Sequence, residues 1–259
     1  MNTGLERIFV ATPIYNDQCY GSYTCSLLDL QAAILNSGRE FTFQYVKNNS
    51  MISRGRNMLF SRFLQDERAT HLLFVDSDIA FDAADVMRML DFDHDIMAAI
   101  YSQKYINWDR VADAARKYPD LPSRLLPSVA GVYGTFHPLP GGGHVSLDEP
   151  FQIASAGMGL MLIRRDVFIQ MIDAYPELMV RLSSGEANFF QSNPCMPGIF
   201  NEMVSPDGFF LGEDLSFCER WRAIGGKVHG CGWFKIRHLG THEYASDLRQ
   251  IGQLDLTVL

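Results

Sequence analysis

Two carboxylates close a short apolar run in "HLLFVDSDIAF". Asp76 and Asp78 flank Ser77, directly after the four apolar residues 72–75. Residues i and i+2 of an extended segment point to the same side, so both carboxylates can face one cation. Like charges are unfavourable together without a positive partner, and hard oxygen ligands suit Mg²⁺ or Mn²⁺. The pattern predicts a divalent metal site; the alternative is a turn that caps the helix predicted from Asp82.

An acidic pair and a histidine pair follow much later in the chain. Glu213 and Asp214 begin a predicted helix in "GEDLSF", where the helix dipole alone favours acids. Paired carboxylates are also what base-assisted transfer to a hydroxyl requires. His238 and His242 in "RHLGTHEY" are four residues apart, but Gly240 between them disfavours a zinc-binding helix. A neutral imidazole can complete an Mn²⁺ site, so we expect His238 on the metal, with His242 as the alternative.

Three basic residues are candidates for binding an anion. Arg54 and Arg56 in "SMISRGRNMLF" stand just before a helix predicted at 55–66. Guanidinium groups suit diphosphate or carboxylate recognition, and a helix N-terminus favours anions; pairing with surface acids is the alternative. Lys104 follows the fourth predicted strand, which places it at the same edge of the sheet as Asp76.

The first predicted strand ends in "ATPIYN". We expect Pro13 and the polar residues around it to end the strand at the edge that carries Asp76. Thr12 and Tyr15 could meet a nucleoside there, with Tyr15 offering an aromatic face. This motif is weakly specific by itself, because proline after a strand is common in loops.

The elements that must position these residues alternate between strand and helix. Predicted strands at 7–16, 40–46, 71–75 and 94–101 alternate with predicted helices at 25–38, 55–66 and 82–90. Continuously apolar strands in this order are typical of a parallel sheet covered on both faces. Ligands of such sheets bind beyond the carboxyl ends of the strands. The predicted fold class is therefore α/β.

The alternation stops at residues 105–150, which are rich in proline and glycine. A segment of this length without clear elements is usually functional or mobile, and we predict a mobile loop. The pattern resumes as strand, glycine-containing turn, strand and helix over 151–172, a helix over 212–226 and a strand-like region over 227–244.

Bulk composition restricts the class of protein. The 259 residues fit one large α/β domain or two small ones. A formal net charge of -8 argues against a broad basic surface, so nucleic acid is not an expected partner. There is no signal-peptide pattern and no run approaching about 18 apolar residues. Five cysteines without a CxxC pair indicate reduced thiols, which predicts a cytoplasmic protein.

Taken together, the motifs resemble the GT-A fold glycosyltransferases, in particular family 2-type and Anp1-like sugar transferases. The resemblance lies in "IFVATPIYN", "SMISRGRN", "HLLFVDSDIAF", "SAGMGLMLIRRDVF", "GEDLSFCERW" and "HLGTH", and it touches most of the chain except 105–150. It implies a single domain over 1–259 with a mostly parallel central sheet flanked by helices and a smaller acceptor-side sheet region. Its expected parts are a nucleotide-sugar-binding half (1–104), the mobile loop (105–150) and an acceptor and metal-completing half (151–259).

The resemblance also implies a function and a role for each motif. The implied reaction moves a sugar from a nucleotide-diphosphate-sugar, a UDP- or GDP-sugar, to a hydroxyl of a glycan or glycoconjugate, with Mn²⁺ or Mg²⁺ as cofactor. Asp214 would be the base if the reaction inverts, and the acidic pair would position the acceptor if it retains. The implied sites are nucleotide-sugar binding by Thr12, Pro13, Tyr15, Arg54, Arg56, Asp76, Ser77, Lys104 and Gly157, metal binding by Asp76, Asp78 and His238, and catalysis by Glu213 and Asp214.

Two rival functions share some of these features. A nucleotidyltransferase would share the sheet and the cation, but its Gly-rich phosphate loop with a following lysine is missing after the first strand. A non-catalytic carbohydrate- or nucleotide-binding protein could retain the fold, although the acidic and histidine motifs are intact. The absence of GxxxxGK[ST] excludes a P-loop NTPase.

Overall fold

An eight-stranded sheet forms the centre of the computed structural model, which describes residues 5–134, 136–139, 145–182 and 195–252. The strands in chain order are β1 (Arg7–Ile14), β2 (Glu40–Lys47), β3 (Ala69–Val75), β4 (Ile79–Ala80), β5 (Ile96–Ala99), β6 (Phe136–Pro138), β7 (Phe151–Ala156), β8 (Leu160–Arg164), β9 (Met179–Arg181), β10 (Cys195–Pro197), β11 (Met203–Val204), β12 (Phe210–Leu211), β13 (Val228–Cys231), β14 (Lys235–Leu239) and β15 (Glu243–Asp247). The order across the large sheet is β2-β1-β3-β8-β5-β13-β7-β6. A three-stranded sheet, β15-β14-β4, an antiparallel two-stranded sheet, β9–β10, and a short hairpin, β11–β12, lie beside it.

Helices cover this sheet. They are α1 (Gly21–Asn36), α2 (Ile52–Gln65), α3 (Ala83–Phe92), α4 (Trp108–Lys117), α5 (Leu126–Ala130), α6 (Arg165–Ala174), α7 (Glu213–Ala223) and α8 (Leu248–Gly252), with short 3₁₀ turns at Ser123–Leu125 and Pro176–Leu178. The predicted α/β class is confirmed. Among the described helices, none combines the length and the apolar character that a membrane crossing requires.

The sheet is mixed rather than uniformly parallel. Three strand pairs are parallel (β1–β2, β1–β3 and β5–β13) and the other four are antiparallel. Six strands share one direction, and the two exceptions are β7 and β8. β8 lies between β3 and β5 and is antiparallel to both. The expectation of a mostly parallel sheet therefore holds for strand direction, whereas the pairing is mixed.

Both faces of the central strands are buried, which explains their continuous apolar sequence. Ile8 and Val10 of β1 pack with α1 and α3 on one face, whereas Phe9 and Ala11 pack with α2, α6 and α7 on the other. Successive strand residues point to opposite faces, so a strand covered on both sides needs apolar residues at every position.

The segment 105–150 contains helices that the sequence analysis missed. In α4 the Asn107 side chain accepts a hydrogen bond from the backbone N–H of Arg110, at 2.9 Å. Asp109 lies in the first turn, and Arg116 and Lys117 lie in the last. A capping asparagine and this distribution of charge are standard helix signals. The prediction of a segment without clear elements is wrong, and its mobility stays a prediction.

Two predicted boundaries also differ from the structure. Helix α2 begins at Ile52, so Arg54 and Arg56 lie inside it and not before it. Strand β1 continues through Pro13 to Ile14. Its pairing with β3 ends at Ala11, whereas its pairing with β2 continues. A proline without a backbone N–H is tolerated there because one side of the strand is unpaired.

Gly159, between β7 and β8, allows two segments to approach closely. Its backbone N–H donates to the Tyr101 hydroxyl at 3.0 Å, and its carbonyl accepts from the Asp76 N–H at 2.9 Å. A Cβ atom at this position would lie 2.2 Å from the Tyr101 hydroxyl oxygen. The residue must therefore be glycine for these contacts to form.

We expect Gly159→Ala to lower the free energy of unfolding by about 1–3 kcal/mol, the usual cost of overpacking a core. Urea denaturation measures this. Gly21→Ala is the matched control, because nothing lies within 4 Å of its added Cβ. Equal stability of the two variants would contradict the close packing inferred at Gly159.

Candidate functional site

The Asp76–Asp78 turn joins β3 to β4 at the carboxyl edge of the sheet. Neither carboxylate caps α3, which begins after Asp82, so the helix-capping alternative is wrong. The turn is fixed by backbone hydrogen bonds to three distant segments. These are Asp76 N to Gly159 O at 2.9 Å, Tyr20 N to Ser77 O at 3.2 Å and Leu239 N to Asp78 O at 2.7 Å.

Arg56 neutralises Asp76 and links it to the second acidic pair. Its Nη2 donates to Asp76 Oδ1 at 3.0 Å, and its Nε donates to Glu213 Oε1 at 3.2 Å. The guanidinium lies over the Phe74 ring, 5.2 Å from the centroid. The side chain is 3% exposed, so pairing with surface acids does not describe it. Arg56 therefore acts as an internal counter-ion to both acids, through its Nε and Nη2.

Burial changes the proton affinities of two carboxylates in the site. The pKa of Asp76 is raised to about 6, because desolvation and the neighbouring Asp78 outweigh the attraction of Arg56. The pKa of Asp214 is also raised, first by burial and then by the negative charge of Glu213. A carboxylate with a raised pKa is a better proton acceptor near neutral pH.

Asp78 has a different environment from Asp76. Its carboxylate forms an ion pair with the Lys104 ammonium, and His238 Nε2 lies 3.9 Å from its Oδ1. His238 Nδ1 is 3.0 Å from the Ser102 carbonyl oxygen. A carbonyl only accepts, so Nδ1 carries the proton and Nε2 presents a lone pair on the side of Asp78. Burial lowers the pKa of His238, which favours the neutral, ligating form.

These residues fit a cation site with two protein ligands. Within the described part of the chain, no cluster of three or more His, Cys, Asp or Glu side chains could hold a metal ion. Asp76 is bound to the buried Arg56, whereas Asp78 is bound to the more exposed Lys104 and lies beside His238, so Asp78 and His238 are the more accessible donors. Mg²⁺ is commonly held by one or two carboxylates together with substrate phosphates and water. The donor set therefore fits an ion whose coordination the substrate completes.

A cleft of about 370 Å³, which we call the central cleft, brings together residues from five segments of the chain. Four of the predicted site residues line it: Lys104, Gly157, Asp214 and His238. The remaining lining residues are Tyr101, Gln103, Gly134, His137 and Leu215. Polar and titratable groups that converge on one concavity are typical of a ligand or active site.

The predicted nucleoside-binding residues lie at a separate concavity. Pro13 and Tyr15 line a pocket of about 180 Å³, the β1 pocket, with Gly55 of α2. The Tyr15 side chain is exposed and offers its ring to a ligand. Thr12 is fully buried, and its hydroxyl lies 2.7 Å from the Tyr23 hydroxyl, so it faces the core. Arg54 lies in the first turn of α2 and is partly exposed.

The structure separates the two candidate histidines and the two acids. His238 lies beside Asp78, whereas His242 lines a different cavity and packs edge-on against Tyr244 at 5.1 Å. Asp214 lines the central cleft, whereas Glu213 is bound to Arg56.

Sequence reasoning missed Tyr101 as a site residue. Its hydroxyl accepts from the Gly159 N–H, and its ring packs edge-on against the His238 ring at 5.4 Å. Tyr101 ends the strand predicted at 94–101, so the argument that selected Lys104 at the sheet edge would also have selected it. Gln103 and His137, which also line the cleft, carry no comparable sequence signal.

Comparisons with known proteins establish the fold and nothing finer. No family model matches the chain, and no curated protein matches it. Among solved structures, A197 from STIV is 12% identical with a TM-score of 0.50, over 95% of this chain and 92% of that chain. This similarity concerns the fold alone.

Two further similar structures are named as nucleotide-sugar or sugar-transfer enzymes. A glycosyltransferase involved in glycosylation of the major capsid of PBCV-1 is 8% identical, with a TM-score of 0.32, over 65% of this chain and 66% of that chain. Apo UDP-glucose pyrophosphorylase is 8% identical, with a TM-score of 0.38, over 90% and 76%. TM-scores this low support no argument about activity.

We expect Asp76→Asn to gain stability relative to the wild type as pH rises from about 4 to about 6. The folded pKa of Asp76, about 6, exceeds the ordinary value. Over this range the unfolded chain releases the proton of Asp76 while the folded protein retains it, so the wild type loses stability as pH rises, whereas asparagine does not titrate. Urea unfolding of both proteins across the range measures the difference.

Asp91→Asn is the control, because Asp91 is an exposed carboxylate of α3. Urea unfolding of this variant over the same pH range gives the contribution of a surface charge. A difference between Asp76→Asn and wild type that stays constant with pH would show that Asp76 is not the group being titrated.

Proposed function

We propose that the protein is a metal-dependent glycosyltransferase that uses a nucleotide-diphosphate-sugar donor, a UDP- or GDP-sugar, and a hydroxyl acceptor on a glycan or glycoconjugate. One observation carries this proposal: Lys104, Gly157, Asp214 and His238, distant in sequence, line a single cleft. Asp78 lies at its edge, bound to Lys104 and close to His238. A lysine, a potential base and two metal donors are the groups that sugar transfer from a diphosphate requires.

The leaving diphosphate gains negative charge as the sugar–phosphate bond breaks. Lys104 and a cation on Asp78 and His238 would stand on the side where that charge develops. A divalent cation held there would supply charge neutralisation for the phosphate oxygens. Arg56, which was a candidate for this role, is occupied by Asp76 and Glu213 and instead fixes the acids in place.

Asp214 is the group we assign to the acceptor. It lines the cleft at the N-terminus of α7, and its raised pKa suits it to accept a proton from the acceptor hydroxyl. This role applies if the reaction inverts the anomeric centre. If the reaction retains it, Asp214 positions the hydroxyl by hydrogen bonding and takes up no proton. Glu213 acts through Arg56 in either case.

The nucleoside is assigned to the β1 pocket. The exposed Tyr15 ring would stack on the base, and Pro13 would form the floor beside it. Thr12 has no role in this proposal, because its hydroxyl is bound to Tyr23 in the core.

Nucleotide-sugar binding is tested with a thermal-shift panel of UDP-, GDP-, CMP- and dTDP-sugars with and without Mn²⁺. A donor at a hundredfold excess over its dissociation constant should stabilise the protein by about 2.7 kcal/mol. Product analysis then distinguishes the reactions: a glycosyltransferase releases nucleoside diphosphate, and a nucleotidyltransferase releases pyrophosphate or nucleoside triphosphate. Absence of any metal-dependent shift would overturn the proposal.

Asp78→Asn should abolish metal-dependent donor hydrolysis and transfer while it melts close to the wild type, because Asp78 is partly exposed and its ion pair with Lys104 is at the surface. Asp91→Asn, on an exposed face of α3, is the control that should keep full activity. An active Asp78→Asn enzyme would rule out Asp78 as a metal ligand.

Lys104→Met should bind Mn²⁺ about tenfold more tightly than the wild type in the absence of donor, a change of about 1.4 kcal/mol. In the wild type the Lys104 ammonium occupies the Asp78 carboxylate and repels a cation. Titration calorimetry with Mn²⁺ alone measures the affinity without any activity assay. Unchanged or weaker binding would mean that the cation does not use Asp78.

A further inference from the structure

A third concavity, which we call the aromatic cavity, lies beside the central cleft and has a volume of about 280 Å³. It is formed where α4 and α5 meet the β14–β15 hairpin. Six of its lining residues are Ser102, Tyr105, Trp108, Leu126, Pro127 and Tyr244. No Asp, Glu, Lys or Arg lies among the described residues that line it. His242 also lines the cavity, so the lining is mainly apolar with one imidazole, and a mainly apolar lining favours an apolar group.

Two aromatic side chains of this cavity are largely exposed to solvent. Tyr105 is 60% exposed and Trp108 is 69% exposed. A single exposed apolar residue is ordinary, but two rings at the rim of one apolar cavity are typical of a ligand pocket. Stacking between aromatic rings stabilises such a complex beyond the area that it buries.

The aromatic cavity and the central cleft share a wall that includes residues 101–103. Tyr101 and Gln103 line the cleft, whereas Ser102 between them lines the cavity. The Ser102 carbonyl accepts the hydrogen bond that orients His238. On the hairpin, His238 of β14 is paired directly with Tyr244 of β15, and these two residues also line the cleft and the cavity respectively.

We infer that the aromatic cavity binds the apolar aglycone of the acceptor, an aryl or short alkyl group on a hydroxyl-bearing glycoside. The sugar of that glycoside would extend over the shared wall into the central cleft. The cavity, at about 280 Å³, is slightly smaller than typical ligand pockets of roughly 300–1,000 Å³, so it suits one ring or a short chain. The role of this ligand as an acceptor rests on the proposed function, whereas binding of an apolar group in the cavity does not depend on it.

The chain contains a built-in reporter for this site. It has three tryptophans, of which Trp221 and Trp233 are buried and Trp108 is exposed. Quenching of fluorescence by acrylamide therefore reports mainly on Trp108. Phenyl β-glycosides of glucose, galactose and mannose should protect Trp108 from quenching, whereas the methyl β-glycosides of the same sugars should not. Equal protection by phenyl and methyl glycosides would overturn the inference.

Variants localise the binding. By calorimetry, Tyr105→Ala and Trp108→Ala should each weaken phenyl glycoside binding by about three- to tenfold, the loss expected for one aromatic contact. Both residues are largely exposed, so neither change should prevent folding. Phe210→Ala removes an equally exposed aromatic ring from the β11–β12 hairpin, outside the cavity, and should bind like the wild type. Unchanged binding by both cavity variants would overturn the inference.

The donor panel separates this inference from the proposed function. Donor binding without discrimination between phenyl and methyl glycosides removes the aromatic cavity as the aglycone site and leaves the transferase proposal intact. Selective binding of phenyl glycosides without binding of any nucleotide sugar overturns the assignment of the ligand as an acceptor, together with the proposed function. Selective binding of both ligands supports the two together.

Discussion

The buried guanidinium of Arg56 holds the site together. It lies between Asp76, after β3, and Glu213, at the start of α7, and these two acids are 137 positions apart in the chain. A buried ion pair is costly to desolvate, and removing one partner is more costly still because it leaves a charge uncompensated. Arg56 sits within a helix that is packed against the core, so the two carboxylates are held by a rigid cation.

The repulsion between the Asp76 and Asp78 carboxylates is offset by two cationic side chains that differ in burial. Asp76 is paired with Arg56, which is buried and fixed, whereas Asp78 is paired with Lys104, which is flexible and partly exposed. A divalent ion can displace a lysine from a partly exposed pair far more easily than it can displace a buried arginine. This asymmetry is the reason for assigning the proposed cation to Asp78 and His238, with Asp76 in a supporting role, whereas the sequence suggested that both aspartates would share the cation.

Strands from both halves of the chain alternate in the central sheet, so the candidate site contains residues from both halves. β8, from the second half, lies between β3 and β5 of the first half, and β13 continues the sheet beyond β5. The same strand order brings Gly159 against Asp76 and Tyr101. The central cleft and the aromatic cavity then lie on either side of the segment that follows β5, so the geometry of His238 depends on both concavities through Ser102.

The sequence by itself determined most of the central strands and helices and the side chains that are candidates for chemistry. Apolar runs such as Leu72–Val75 identify strands buried on both faces, and Gly38 and Gly225, both with positive φ, follow the ends of α1 and α7. Local signals of this kind depend on neighbouring residues, which the sequence gives directly. The helix α4 was also encoded locally, in Asn107 and the charges of its turns, and was obscured by the prolines around it.

Only the tertiary structure shows which residues each of these side chains contacts. Whether Arg56 meets a ligand or an internal acid, which histidine approaches Asp78, and whether Thr12 faces a pocket or the core all depend on contacts between residues far apart in the chain. The insertion of β8 between β3 and β5 and the wall shared at Ser102 are of the same kind. Spacing along a sequence fixes which side of its own element a residue occupies, and it carries no information about which other element packs against that side.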